Sequence, residues 1–162
     1  KSTQVRQLLK HEPCERIITA FSFTEQHSHD KLEHGVPSIE KRIDAMRLLV
    51  EAGWPIGLRF DPIVYHENYQ ASFSHLLETI FSIIDPNCLH SVSLGAFRLP
   101  KNNFRQVNKL YPDESLFHQN LVLDNGIVGY PLAQEEEMMR YCEQQLLQHI
   151  PTHCYQPCKW HE

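Results

Sequence analysis

Two segments of the chain repeat their apolar residues at the helical period. In segment 38–53, Ser38 suits the N-cap and Gly53 suits the C-terminal cap. In segment 69–84, a wide apolar stripe indicates a helix that packs on a core. The apolar positions that carry the two patterns are Ile39, Ile43, Met46, Val50, Phe73, Leu76, Leu77, Ile80 and Ile84. Helices are therefore predicted over both segments.

Three short apolar runs predict strands at 16–23, 56–63 and 91–97. They are rich in β-branched and aromatic residues, which favour a pleated, buried surface. Since a helix is predicted between consecutive strands, the order indicates a parallel β–α array with right-handed crossovers. A polar loop is predicted at 24–37.

Weaker patterns complete the chain. Helices are predicted at 2–11, 101–110 and 134–150, and a final edge strand is predicted within 152–160. Segment 121–130 predicts a β-hairpin, because Asn125 and Gly126 suit a type I′ turn between two apolar runs.

Composition limits the class of protein. The 162 residues suffice for one α/β domain, but three or four strands cannot close a barrel of eight. We therefore expect an open sheet, or part of a barrel whose other strands are missing. The formal net charge of −5 argues against a free-standing nucleic-acid binder. Five cysteines, no targeting signal and no apolar run of membrane length predict a cytoplasmic protein without membrane association.

The loop after the second predicted strand carries the strongest candidate chemistry. It holds Asp61, Tyr65, His66 and Glu67. Catalytic groups in parallel α/β proteins lie at the carboxyl ends of strands. Carboxylate, imidazole and phenol together can perform acid–base work or orient a polar ligand. The alternative is a polar loop that caps the next helix.

Polar residues end the other two strands as well. Ser22 can bond a carboxylate or a ribose, and Arg98 can clamp a phosphate or carboxylate. The alternatives are an ordinary strand serine and a surface ion pair.

Two groups of residues have metal-binding side chains. One is the loop with His27, His29 and His34, and the other is the tail with Cys154, Cys158 and His161. Imidazole and thiolate suit zinc, but neither spacing matches a defined structural zinc motif. We assign no metal ligand, and whether either group binds metal stays open.

Several segments in order resemble one known family. They are Phe21-Ser-Phe23, Pro37 to Ala45, Ala52 to Gly57, Asp61-Pro-Ile63, Tyr65-His-Glu67, Phe97-Arg98, Lys109 to Pro112 and Gly126 to Tyr130. The set resembles the C-terminal half of the spore photoproduct lyase family. The resemblance implies a radical S-adenosylmethionine (AdoMet) enzyme on a partial (β/α)₆ barrel. In that family, a 4Fe–4S cluster cleaves AdoMet, and the 5′-deoxyadenosyl radical abstracts hydrogen from a thymine dimer in DNA, which reverts to two thymines.

The resemblance also implies roles for individual residues. Ser22 and Lys1 correspond to positions near AdoMet, and Asp61 falls where the family has a small residue in the same pocket. Arg98 and Asn125 fall where the family approaches DNA. We add Tyr65, His66 and Glu67 as substrate-binding candidates from the strand-end loop.

The departures from the family pattern are informative. The cluster motif Cys-x₃-Cys-x₂-Cys is absent, and the chain begins with Lys1. We therefore expect a piece of a longer protein, inactive on its own, whose partner is its missing N-terminal half. The hairpin lacks the Arg-Tyr wedge and the basic run of the family, which implies a substrate other than the spore lesion. The acidic balance of the chain separately weighs against DNA as a partner.

The resulting prediction is an α/β fold, the C-terminal half of a partial (β/α) TIM-like barrel with an added β-hairpin and C-terminal helix. The single domain divides into a barrel half, 1–112, and a hairpin plus helix, 113–162. One alternative is a metal-dependent hydrolase that uses His27, His29, His66, Glu67 and Asp61. The other is a non-catalytic domain that docks through an exposed sheet edge.

Overall fold

A parallel three-stranded sheet forms the centre of the computed structural model, which describes residues 2–157. Its strands are β1 (Thr19–Ser22), β2 (Ile56–Ile63) and β3 (Leu89–Ala96), in the order β1-β2-β3. All three were predicted, although β1 is shorter than its apolar run and β3 begins earlier. Within the described residues, the sheet is open and closes no barrel. No helix there is long and apolar enough to cross a membrane.

Five α-helices and four 3₁₀ helices accompany the strands. The α-helices are α1 (Gln26–Leu32), α2 (Ile39–Glu51), α3 (Tyr69–Phe81), α4 (Lys101–Leu110) and α5 (Leu132–Leu146). The 3₁₀ helices are Leu8–Lys10, Pro86–Cys88, Ser115–His118 and Thr152–Cys154.

A second, antiparallel sheet contains the predicted hairpin. Its strands are β4 (Arg98–Pro100), β5 (Val122–Asp124) and β6 (Ile127–Gly129), in the order β4-β6-β5. Asn125 and Gly126 have φ values of 45° and 83°, the left-handed backbone that a type I′ turn requires. The hairpin is confirmed, whereas β4 was not predicted. The proposed division at residue 112 stays a prediction.

The two faces of the parallel sheet differ in polarity. Apolar side chains on one face pack against the helices, and the Phe60 and Phe73 ring centroids lie 5.5 Å apart. The register sets Ser22 beside Arg59 on the opposite face. With the two-residue period of strands, that polar face carries Ser22, Arg59, Asp61, Ser91 and Ser93.

Five predicted elements were wrong in kind or extent. The 24–37 loop contains α1, because the Glu25 side chain caps it by accepting from the His27 and Ser28 amides. Of the 2–11 helix, only a short 3₁₀ turn forms. α3 and α5 both end before the predicted residue. The tail has a 3₁₀ turn and a single bridge from Tyr155 to Val92 instead of a strand; residues 158–160 lie outside the described part.

Candidate functional site at the carboxyl ends of the parallel strands

The loops after β1 and β2 meet through a buried carboxylate. Glu25 is 6% exposed and caps α1, with its Oε1 also accepting from the Ser28 hydroxyl. The same oxygen lies 3.4 Å from Nε2 of His66, and the His66 ring stacks on His27 with centroids 4.4 Å apart. This contact is at the long end of hydrogen-bonding distance and is mainly electrostatic. This Glu25–His66–His27 group joins the two loops.

The environment of His66 disfavours its charged form. Burial lowers the pKa of His66 below its ordinary value, and the neighbouring Glu25 carboxylate opposes that shift only in part. A neutral imidazole with a buried ring nitrogen can accept or relay a proton at this rim.

The pH dependence of stability tests this environment. Because the folded-state pKa of His66 is lowered, the unfolded chain takes up the proton first as pH falls through about 6.5. We expect His66→Asn to lose less stability than the wild type between pH 7.5 and 5, measured by urea unfolding. His90→Asn, at an exposed position, is the matched control. Parallel losses in wild type and His66→Asn would contradict the expectation.

Below the rim, a fully buried arginine holds the end of β1. Arg42 donates 2.9 Å hydrogen bonds to the Ser22 carbonyl and to Oε2 of Glu33, and it contacts Nδ1 of His29 at 2.9 Å. Oε1 of Glu33 accepts from the Thr24 hydroxyl at 2.7 Å. This Arg42 cluster fixes the backbone that carries Ser22.

The cluster also bears on the hydrolase alternative. His29 lies with Arg42, His27 lies with His66, and His34 borders a separate groove beside Tyr111. Among residues 2–157, no group of three or more His, Cys, Asp or Glu side chains could hold a metal ion. The structure therefore gives no support to a metal centre built from these histidines.

Tyr65 is held in place through its backbone. Its amide donates to the Tyr130 hydroxyl at 2.8 Å, and its carbonyl accepts from Gln119 at 3.0 Å. Burial raises the pKa of Tyr130 to about 12, against the opposing effect of the Tyr65 amide bond. The phenol of Tyr65 and the side chain of Glu67 remain exposed on the loop. Tyr130 follows β6, so this bond ties the strand-end loop to the hairpin sheet.

Arg98 and Asn125 border one groove. The groove encloses about 620 Å³ between the hairpin sheet and the start of α5, and Tyr130 forms part of its wall. Its lining is mostly apolar, with Asp124 and Glu135 as acidic members. Its volume falls in the range of small-molecule sites.

Ser22 and Asp61 belong to the polar face of the parallel sheet. The Asp61 carboxyl lies over Gly95, where a Cβ on the glycine would approach its Cγ to 2.9 Å. The Arg59 guanidinium lies over Gly57 in the same way and donates to Ser91. Two glycines thus make room for two charged side chains on this face. Lys1 lies outside the described residues.

Comparison with known proteins identifies the family. A family model described as "Spore photoproduct lyase" matches residues 1–147. The chain belongs to the spore photoproduct lyase family. The spore photoproduct lyase of Bacillus subtilis (strain 168) is 29% identical over 98 residues, which is 59% of this chain and 29% of that protein.

Solved spore photoproduct lyases have the same fold. One mutant, with bound AdoMet and dinucleoside spore photoproduct, superposes with a TM-score of 0.84 at 21% identity and covers 96% of this chain and 48% of that one. A second spore photoproduct lyase, complexed with dinucleoside spore photoproduct, superposes with a TM-score of 0.83 at 20% sequence identity. That match covers 98% of this chain and 49% of the other. The chain therefore spans about half the length of these spore photoproduct lyases.

Sequence reasoning missed residues that organise this family member's site. Arg42 lies at the helical spacing of Ile39 and Met46, so the period alone places it on the buried face of α2. Glu25 precedes α1 as a cap. No local pattern marks Tyr130 or Gln119, because their partner Tyr65 is distant in sequence.

Proposed function

We propose that this chain is the C-terminal part of an AdoMet-dependent radical DNA-repair lyase similar to spore photoproduct lyase, and half of its partial (β/α) barrel. One observation carries the proposal: Ser22 and Asp61 share the polar face of a sheet whose fold matches a lyase with AdoMet and its lesion bound. The helices lie on the other face of that sheet. The polar face would then line the barrel interior.

The carboxylate and hydroxyl groups on the polar face suit the binding of AdoMet. AdoMet carries an ammonium group and ribose hydroxyls, which carboxylate and hydroxyl oxygens bind well. Asp61 is exposed, and its carboxyl would accept from one of these groups, while the half-buried Ser22 hydroxyl would bond another. Bound AdoMet is the source of the radical in this chemistry; the role of the chain is to hold it. Lys1 is proposed for the same pocket from the resemblance alone.

The residues of this chain do not fit a 4Fe–4S cluster. The sequence has no Cys-x₃-Cys-x₂-Cys. Of the cysteines in the described part, Cys142 is fully buried, and burial raises its pKa to about 12, which disfavours a thiolate ligand. We therefore propose that the cluster ligands lie outside this chain and that the chain alone is inactive.

The substrate would contact the rim and the hairpin groove. Arg98 and Asn125 border that groove, and Tyr65, His66 and Glu67 lie on the strand-end loop that Tyr130 joins to the hairpin sheet. Val122 and Ile127, two apolar residues of the hairpin, also line the groove. We propose that the bases of a dinucleotide lesion, rather than its phosphates, contact this surface.

The proposal is tested by an activity assay of the protein that the complete reading frame containing this chain encodes. We expect anaerobic, reduced protein to convert dinucleoside spore photoproduct to two thymidines in an AdoMet-dependent manner, and the 162-residue chain alone to give no product. Asp61→Asn should raise the KM for AdoMet about tenfold or more, since a hydrogen bond to a charged group contributes about 1.5–3 kcal/mol.

The matched control is Asp44→Asn, an exposed acid on α2. It should leave the KM unchanged. A reading frame that contains no further cysteine motif, or product formation by the chain alone, would overturn the proposal.

A further inference from the structure

The exposed face of α4 is basic. Lys101, Arg105 and Lys109 follow one another at four-residue spacing. At 100° per residue they fall within about 80° of the helical circumference, on the side opposite Val107. Arg105 and Lys109 are exposed and Lys101 is half-buried. These three side chains are called the α4 basic stripe.

The stripe is not neutralised by the protein. In the part of the chain that the structure describes, no carboxylate forms an ion pair with any of the three. The segment from residue 98 to 112 contains no Asp or Glu, although the whole chain has a net charge of −5. A local concentration of positive charge on an acidic protein favours one orientation toward an anionic partner.

The inner side of α4 borders the candidate site. Val107, together with Tyr111 just after the helix, lines a groove of about 360 Å³ that also includes Thr24, Pro62 and Phe97 from the strand ends. The α4 N-terminus joins the hairpin, because the Lys101 amide donates to the Gly126 carbonyl at 2.9 Å. A polymer held on the stripe would therefore pass along the outer side of α4, about one helix diameter of 10 Å from the groove, with the hairpin at the N-terminal end of the helix.

We propose that the α4 basic stripe binds the phosphate backbone of duplex DNA. Four residues of helix rise about 6 Å, so the stripe extends about 12 Å, and phosphates recur every 3.4 Å along one strand. Three flexible cationic side chains at this spacing can each reach a different phosphate. The exposed amides of Asn102 and Gln106 on the same helix add donors of the type that contact DNA backbones. The choice of DNA rests on the proposed function.

Salt-dependent binding of the 162-residue chain to an undamaged, labelled 20-base-pair duplex tests the stripe. Each phosphate contact contributes about −0.9 to the slope of log K against log salt. Lys101→Gln, Arg105→Gln and Lys109→Gln combined should raise the Kd at 50 mM salt at least 30-fold and reduce the slope by about 2–3. Glutamine keeps good helix propensity, and circular dichroism checks that the helix remains.

A charge-matched control separates local contact from net charge. Arg6→Gln, Lys10→Gln and Arg16→Gln combined remove the same charge from exposed positions before β1 and should change the Kd less than threefold. Equal losses in both triple variants, no duplex binding by the wild type, or binding of phosphatidylserine vesicles in place of the duplex would overturn the inference.

The proposed function and the DNA-binding role of the stripe can be refuted independently of each other. A dinucleoside substrate offers no duplex backbone, so the α4 triple variant of the complete protein should still convert it while losing activity on lesion-containing duplex. Absence of wild-type dinucleoside conversion counts against the proposed function, whereas the duplex-binding result decides the stripe. Loss of both activities in the α4 variant would instead mean that the stripe acts in folding or catalysis, and would overturn the inference.

Discussion

Arg42→Met is expected to lower the free energy of unfolding by about 3–5 kcal/mol, the usual cost of removing one partner of a buried ion pair. The guanidinium has no exposed surface and bonds the Ser22 carbonyl, Glu33 and His29. Methionine fills similar volume but removes the Arg42 cation from the Glu33 carboxylate, whose side chain is 7% exposed and keeps its contacts with His29 and Thr24. Urea unfolding followed by circular dichroism measures the change.

Helix α2 supplies the matched control. Arg47 forms an i,i+4 pair with Glu51 at 2.6 Å, and both side chains are well exposed, at 40% and 57%. Arg47→Met should therefore cost no more than about 0.5 kcal/mol. A second variant, Arg42→Met with Glu33→Gln, should recover part of the loss because the buried charge is gone. Equal costs for Arg42→Met and Arg47→Met would show that the Arg42 cluster does not stabilise β1.

Local pattern sufficed where one segment determines its own structure. The apolar period of α2, the apolar runs of β2 and β3, and the Asn125-Gly126 turn each encode their geometry within a few residues, and all four form as predicted. The polar loop prediction failed at α1 because the segment Gln26–Leu32 has no apolar stripe and its cap is Glu25. Glutamate is not among the residue types favoured at the N-cap, so the local sequence carried no helix signal.

The candidate site shows the same limit. Strand-end position put Ser22 and Asp61 on the same rim of the sheet, and the observed register with the two-residue strand period puts both on its polar face. It could not show that Arg98 borders the hairpin groove, because β4 is three residues long and forms only by pairing with β6. Nor could it find the hydroxyl that holds the Tyr65 backbone, which lies 65 residues away.

Tyr130→Phe is expected to loosen the strand-end loop while leaving the fold in place. The substitution removes the acceptor of the Tyr65 amide, and an unpaired buried polar group costs about 1–3 kcal/mol. The aromatic ring would still pack between Tyr65 and Phe97, with centroids 6.4 Å and 6.3 Å away. Hydrogen exchange of the Tyr65 amide should accelerate at least fivefold, together with a loss of global stability measured by urea.

A comparison of two tyrosines separates this coupling from a general effect of removing a hydroxyl. Tyr141 bonds Ser74 at 3.1 Å between α5 and α3, and its ring reaches Tyr65 only through Tyr69. Tyr141→Phe keeps that ring contact and removes no bond to the Tyr65 backbone, so it should leave Tyr65 exchange unchanged. If both variants change Tyr65 exchange equally, Tyr130 is not the link. If only Tyr130→Phe does, the hairpin sheet fixes the backbone of the strand-end loop through one hydrogen bond. A ligand bound on the hairpin would then influence Tyr65 and His66 without touching them, through the bond between the Tyr65 amide and the Tyr130 hydroxyl.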